Sequence, residues 1–317
     1  MKTYVVAGGA GFIGSHVVKR LLSAGNKVVC IDNLITGSQA NASRFYSNGN
    51  FTFINHDLIS DMPNVSGEIE GIFHLASPAS PNPKSQKSYM AYPIETLMVN
   101  SVGTQNVLEF AKQKGSKVLY ASSSEVYGDP SVSPQKEDYF GNVNPNGPRS
   151  VYDEGKRFGE AMCAAYVRTY NLDVRTIRIF NTYGERMQKD DGRVVSNFIN
   201  QALNGEDITV YGDGNQTRSF CYVDDLVNGL ISAMETAGLQ GKVINLGNPE
   251  EYKISELAEK ILKATGSNSK IVHENLPVDD PRQRCPDISL AKKILRFDPK
   301  VSLDEGLKKT IEYFRAI

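Results

Sequence analysis

Tyr152 and Lys156 stand four apart in Tyr152-Asp153-Glu154-Gly155-Lys156, a spacing that puts both on one face of a helix. An ammonium beneath a phenol favours phenolate. Bringing a phenol from its reference pKa of about 10 to pH 7 takes roughly 4 kcal/mol, within reach of a close cation in a partly desolvated pocket. Tyr152 is thereby expected to act as a general base, with Lys156 tuning it. Ser123-Ser124-Glu125 shortly upstream adds hydroxyls and a carboxylate, and Gly8, Gly11 and Gly14 open the chain with a glycine-rich segment.

These groups need elements to place them. Tyr4-Val5-Val6-Ala7 reads as a short apolar strand and Gly8 to Gly14, with Phe12 and Ile13 inside it, as a tight turn. Ser15 to Ala24 reads as a helix ending at Gly25, and Val28 to Ile31 as a second strand closing on Asp32. Turn glycines let backbone N–H groups approach a pyrophosphate, and the helix N-terminus adds its dipole. Asp32, about 20 residues on at a strand end, is placed to accept hydrogen bonds from the adenosine ribose hydroxyls. Its charge would repel a 2'-phosphate, which favours NAD over NADP.

Further strands are expected at Phe51 to Ile54, Gly71 to Ala76, Lys117 to Ala121 and Val174 to Ile179, with helices over Glu95 to Lys114 and Tyr152 to Tyr170. Alternation of strand and helix predicts an α/β protein with a Rossmann-type, doubly wound parallel sheet. Ligands bind beyond the carboxyl ends of such strands. Asp57-Leu58, Leu75-Ala76-Ser77 and Ser122 to Glu125 fall at strand ends and should line one crevice, with Asp57 facing the adenine amino group. Helical apolar spacing at Ile254 to Ala264 and Leu303 to Phe314 predicts two helices of a smaller C-terminal α/β domain. The expected division is 1–180 plus about 220–247 for the cofactor, and 181–219 plus 248–317 for the substrate.

Composition narrows the partners. The chain has 317 residues and a formal net charge of −1, which gives no reason to expect nucleic acid or a membrane surface. No apolar run approaches the roughly 20 residues a bilayer needs. Met1 to Leu22 carries lysine and apolar residues but is interrupted by glycines, so it reads as strand, turn and helix rather than a targeting sequence. Cys30, Cys163, Cys221 and Cys285 are far apart and the histidines are scattered. The expectation is a reduced cytoplasmic protein without a metal site.

The motifs together resemble the extended short-chain dehydrogenase/reductase family. They are Gly8 to Gly14, Asp32-Asn33-Leu34, His74-Leu75-Ala76, Ser123 to Gly128, Tyr152 to Lys156, Arg178 to Asn181 and Arg218-Ser219-Phe220. Longer words, among them Ala76 to Pro81, Ser124 to Pro130, Tyr152 to Arg157, Asp191 to Ile199 and Asn245 to Glu250, resemble its UDP-glucuronate decarboxylase subgroup. Sugar-nucleotide 4,6-dehydratases usually carry Asp-Glu where this chain has Ser124-Glu125, and 4-epimerases usually lack the glutamate. A glutamate without a neighbouring aspartate points to decarboxylation, with dehydratase and epimerase as alternatives. A cofactor-binding sensor that had lost turnover would typically lack the Tyr–Lys pair.

The resemblance implies NAD as a recycled cofactor and a UDP-sugar as substrate. Tyr152, Ser123, Lys156 and Glu125 would be catalytic, with Ser124 beside them. Asn181, Arg193, Tyr211, Arg218 and Arg284 would serve the sugar nucleotide, Arg284 on its diphosphate, and a homodimer would form through a four-helix bundle of Glu95–Lys114 and Tyr152–Tyr170. Asn82-Pro83-Lys84-Ser85-Gln86-Lys87-Ser88 is longer and more polar than the corresponding loop of typical members. That loop borders the site and is expected to bear on which uronic acid is taken, glucuronate or an N-acetylated variant.

Overall fold

A computed structural model describes residues 1–317. Six strands in chain order, β1 (Thr3–Ala7), β2 (Lys27–Asp32), β3 (Phe51–Asn55), β4 (Gly71–His74), β5 (Lys117–Ser123) and β6 (Val174–Ile179), join Val243–Leu246 in one seven-stranded sheet. Its order is Val243–Leu246, β6, β5, β4, β1, β2, β3, and every pairing is parallel. The order reverses between β1 and β4, the switch point at which doubly wound sheets open a crevice.

Both faces of the sheet are covered, which is why β1 is apolar without alternation. Tyr4 and Val6 pack with Val17, Val18 and Leu21 of α1 (Phe12–Ser23), while Val5 and Ala7 pack with Val107, Leu108, Ala111 and Cys163 on the opposite face. Parallel register brings Ala7, Ile31 and His74 level, and Ser123 level with Ile179. The carboxyl ends therefore open on one rim.

Two elements differ from expectation. The first helix starts at Phe12, so Gly14 lies within its first turn, where a Cβ would come 2.1 Å from the Gly8 carbonyl oxygen. The helix expected over Glu95–Lys114 begins at Pro93 and is broken by a π-helical turn, Val99–Gly103, before Thr104–Lys114. Proline is suited to a helix's first turn because the N–H it lacks has no partner there.

Past β6 the chain builds the other wall of the crevice. A three-stranded sheet, ordered Glu251–Lys253, Thr217–Ser219, Gln283–Arg284, sets Arg284 beside Arg218 in register. The parallel pair Ile208–Tyr211 and Ile271–Glu274 carries Tyr211. The helices Val194–Asn204 and Ile254–Thr265 back these strands, and Leu303–Ala316 packs on both helices. The four cysteines are buried and unpaired, and no helix is long and apolar enough to cross a membrane.

Candidate active site

The turn after β1 brings backbone closer than any side chain allows. Gly8 has φ +80°, and a Cβ there would lie 2.7 Å from the Ala76 amide nitrogen. Gly11 caps α1 with no side-chain hydrogen bond, which leaves first-turn amides without a partner in the helix. Asp32 is buried at the end of β2, where Oδ2 accepts from the Ala10 amide at 3.0 Å and Oδ1 from the Leu34 amide at 2.8 Å. Burial raises its pKa against those hydrogen bonds. Gly8, Gly11, Asp32, Asn33, Asp57, Leu58, Leu75 and Ala76 line one small cavity. Asp57 accepts from Asn33 Nδ2 at 3.1 Å and from the Ile59 amide at 2.9 Å.

A larger cavity continues from this one. It is lined by Gly8, Gly11, Phe12, Ile13 and Gly14 at one end and by Ser123, Ser124, Glu125, Tyr152 and Lys156 at its centre. Asn181, Arg193, Tyr211 and Arg218 line its far side. Tyr152 and Lys156 lie in the helix Ser150–Tyr170, which approaches β5 so closely that a Cβ on Gly159 would sit 2.0 Å from the Tyr120 hydroxyl.

Burial of the pair opposes the expected tuning of Tyr152 by Lys156. Lys156 Nζ donates to the Ala121 carbonyl at 2.8 Å and lies 5.6 Å from the Tyr152 ring centre. Burial brings Lys156 down to about 7 and pushes Tyr152 up to about 12, with Ser123 and Arg193 acting in the opposite direction. Loss of hydration outweighs a neighbouring cation that is itself desolvated. Tyr89 stacks on the Tyr152 ring at 4.9 Å and 8°.

Glu125 sits between two guanidiniums. Arg149 Nη2 lies 2.8 Å from Oε2 and Arg284 Nη1 lies 3.0 Å from Oε1. Burial favours the neutral acid, but Arg284 and Arg149 overcome it and hold Glu125 down to about 2. Arg149 and Arg218 both reach Asp280, at 3.1 and 2.9 Å. Arg284 was expected on a diphosphate; instead it is fully buried behind Glu125, donating to Ser124 Oγ at 2.9 Å and to the Gly128 carbonyl at 2.8 Å. Both its Nη groups are already partnered while its buried Nε is not, and it does not line the cavity.

Arg193 is paired with Asp191 at 2.6 Å and lies over the Phe12 ring at 5.4 Å. Tyr211 is half-buried at the wall. Sequence reasoning missed Arg149, Tyr89, Asp280 and Asp153. Only the position of Arg149 three residues before Tyr152 could have flagged it.

Asp153 is buried beside this cluster and its Oδ1 has no hydrogen-bond partner. Burial, and then Glu125, push its pKa up to about 8. A carboxyl raised in the folded state costs stability as pH climbs from its unfolded value of about 3.9 towards the folded one. Asp153→Asn should therefore raise the midpoint of thermal unfolding relative to the parent protein, and by more at pH 8 than at pH 5.5. Calorimetric scans at the two pH values check it; an equal difference at both contradicts the assignment.

A model of the NAD dependent epimerase/dehydratase family matches residues 4–247. The chain belongs to that family. Within it, the chain is similar to UDP-glucuronic acid decarboxylase 1 of Danio rerio, 51% identical over 313 residues that span 99% of this chain and 72% of that one. UDP-glucuronic acid decarboxylase 3 of Arabidopsis thaliana is 50% identical over 313 residues, 98% of this chain and 88% of that one. Among solved structures, the UDP-glucuronic acid 4-epimerase of Bacillus cereus in complex with UDP-glucuronic acid and NAD superposes with a TM-score of 0.87. It is 29% identical and 99% of each chain is covered.

Like other members of the NAD-dependent epimerase/dehydratase family, the protein uses NAD. The residues fit it: the glycine cradle leaves backbone exposed where a pyrophosphate would lie, and Asp32 stands where ribose hydroxyls would donate.

Proposed function

We propose that the protein decarboxylates UDP-glucuronate to UDP-xylose, and the likeness to UDP-glucuronic acid decarboxylases along nearly the whole chain carries that reading. The site chemistry supports it. Ser124 stands beside Glu125, and serine cannot protonate a leaving hydroxyl as a carboxylic acid would, which disfavours loss of water. Glu125, held ionised by Arg149 and Arg284, keeps a fixed charge beside the sugar and orients its ring. That arrangement favours decarboxylase over 4-epimerase or 4,6-dehydratase.

NAD bound in the glycine cradle would supply the hydride acceptor for C4 of the sugar and later the hydride donor, and its positive nicotinamide ring would favour the Tyr152 phenolate that burial opposes. Tyr152, ionised once a positive ring lies beside it, accepts the C4 hydroxyl proton, and Ser123 shares its hydrogen bonds. The resulting 4-keto sugar has its carboxylate β to a ketone, so carbon dioxide leaves as the electrons flow into an enolate. Tyr152 and Ser123 stabilise that oxygen. C5 then gains a proton and the C4 alcohol is restored, so one proton is consumed for each carbon dioxide released. Asn181, Arg193, Tyr211 and Arg218 line the side of the cavity assigned to the sugar nucleotide.

Residues 1–180 with about 220–247 form the cofactor half in this reading, and 181–219 with 248–317 the sugar-nucleotide half. The protein works as a homodimer in the cytoplasm. Ile94, Leu97 and Phe158 are exposed on the helices expected to pair, and four unpaired cysteines suit a reducing compartment. The closed redox cycle is tested with substrate deuterated at C4. Retention of the label in the pentose without accumulating NADH supports it, and loss of the label to water or built-up NADH contradicts it.

A further inference from the structure

Five basic side chains line the main cavity: Lys87, Arg149, Lys156, Arg193 and Arg218. Four already have partners. Arg149 is held by Glu125 and Asp280, Arg218 by Asp280, Arg193 by Asp191, and Lys156 by the Ala121 carbonyl. Lys87 alone has an ammonium with neither a carboxylate nor a carbonyl on it. Arg149, Arg218 and the Arg284 behind them share two carboxylates, Glu125 and Asp280, and so keep a single surplus positive charge; a sugar nucleotide that is also a uronic acid brings a diphosphate and a carboxylate, more negative charge than that surplus can answer.

The segment that carries Lys87 is held in place. Asn82 Nδ2 donates to the Gly192 carbonyl at 3.2 Å and Ser85 Oγ to the Asp190 carbonyl at 2.6 Å. Gly192, with φ +83°, lets the two segments meet, since a Cβ there would lie 2.8 Å from that of Ser85. The Lys87 amide donates to Ser85 Oγ at 3.1 Å, and the Tyr89 amide to the Ser80 carbonyl at 3.0 Å. Tyr89 in turn stacks on Tyr152. Residues 82–88 thus run as an anchored strap from the catalytic tyrosine to the substrate wall, which holds the backbone of half-buried Lys87 at the cavity. With its backbone already held, only the side chain has to be ordered when the ammonium meets an anion.

From this we infer that Lys87 is a specificity-determining residue that receives an oxyanion of the bound sugar nucleotide, its diphosphate or its carboxylate. The inference rests on the proposed substrate class, so its test must not depend on turnover. Binding of UDP-glucuronate, UDP and NAD is measured by calorimetry in the Tyr152→Phe background, alone and combined with Lys87→Met, Lys87→Arg or Lys84→Ala. Lys84 is the control: it belongs to the same strap but pairs with Glu274 in solvent at 2.9 Å, where such pairs contribute little.

Lys87→Met should weaken UDP-glucuronate about tenfold, Lys87→Arg should restore most of it, and Lys84→Ala should stay within about twofold, with NAD affinity unmoved throughout. An equal loss for UDP assigns the diphosphate as the anion; an unchanged UDP affinity assigns the carboxylate. Unchanged UDP-glucuronate affinity, or a matching loss for NAD, overturns the inference. A parent enzyme that binds UDP-glucuronate yet releases no carbon dioxide would overturn the proposed reaction and leave the Lys87 result standing.

Discussion

Tyr152→Phe is expected to lower kcat for carbon dioxide release by about 10³-fold while KM for UDP-glucuronate changes by no more than a few-fold. The substitution removes one oxygen and keeps the ring that stacks on Tyr89, so the fold and the cavity wall persist. The oxygen is the group assigned both to the C4 hydroxyl proton and to the enolate. Steady-state kinetics with a thermal scan for folding check the point. A fall of less than about tenfold would mean that the proton leaves by another route.

Glu125→Ala should damage both reaction and fold. It leaves Arg149 and Arg284 buried without their shared carboxylate, and breaking a buried pair by removing one partner costs about 3–5 kcal/mol. Glu125→Gln preserves volume and isolates the charge. Because the folded Glu125 lies well below its unfolded value of about 4.3, its charge contributes stability above that pH. The contribution is lost as pH falls towards 2. Urea unfolding should therefore show the parent more stable than Glu125→Gln at pH 6, with the gap closing at pH 3. A gap that does not narrow would contradict the depressed carboxyl, and decarboxylation within about tenfold of the parent would contradict its role beside the sugar.

What could be read in the sequence is what local spacing fixes. The glycines before α1, Asp32 at a strand end and the Tyr152–Lys156 pair each belong to one short element whose geometry is set by backbone rules. The arginine pocket around Glu125 has no such spacing. Arg284 lies 159 residues from Glu125, and only the parallel register of Gln283–Arg284 on Thr217–Ser219 delivers it. The stretch before Tyr89 looked like a polar loop because nothing local shows that Asn82 and Ser85 tie it to 190–192. The direction of the Tyr152 and Lys156 shifts was missed for a related reason: burial sets both, and burial belongs to the packed fold.

The most direct measurement is incubation of the purified protein with UDP-glucuronate and NAD, following released carbon dioxide and the mass of the nucleotide sugar. Loss of one carbon dioxide per substrate, giving a UDP-pentose, is the predicted result. An isomer of unchanged mass, or a product lighter by one water, would contradict it and give the site to an epimerase or a dehydratase.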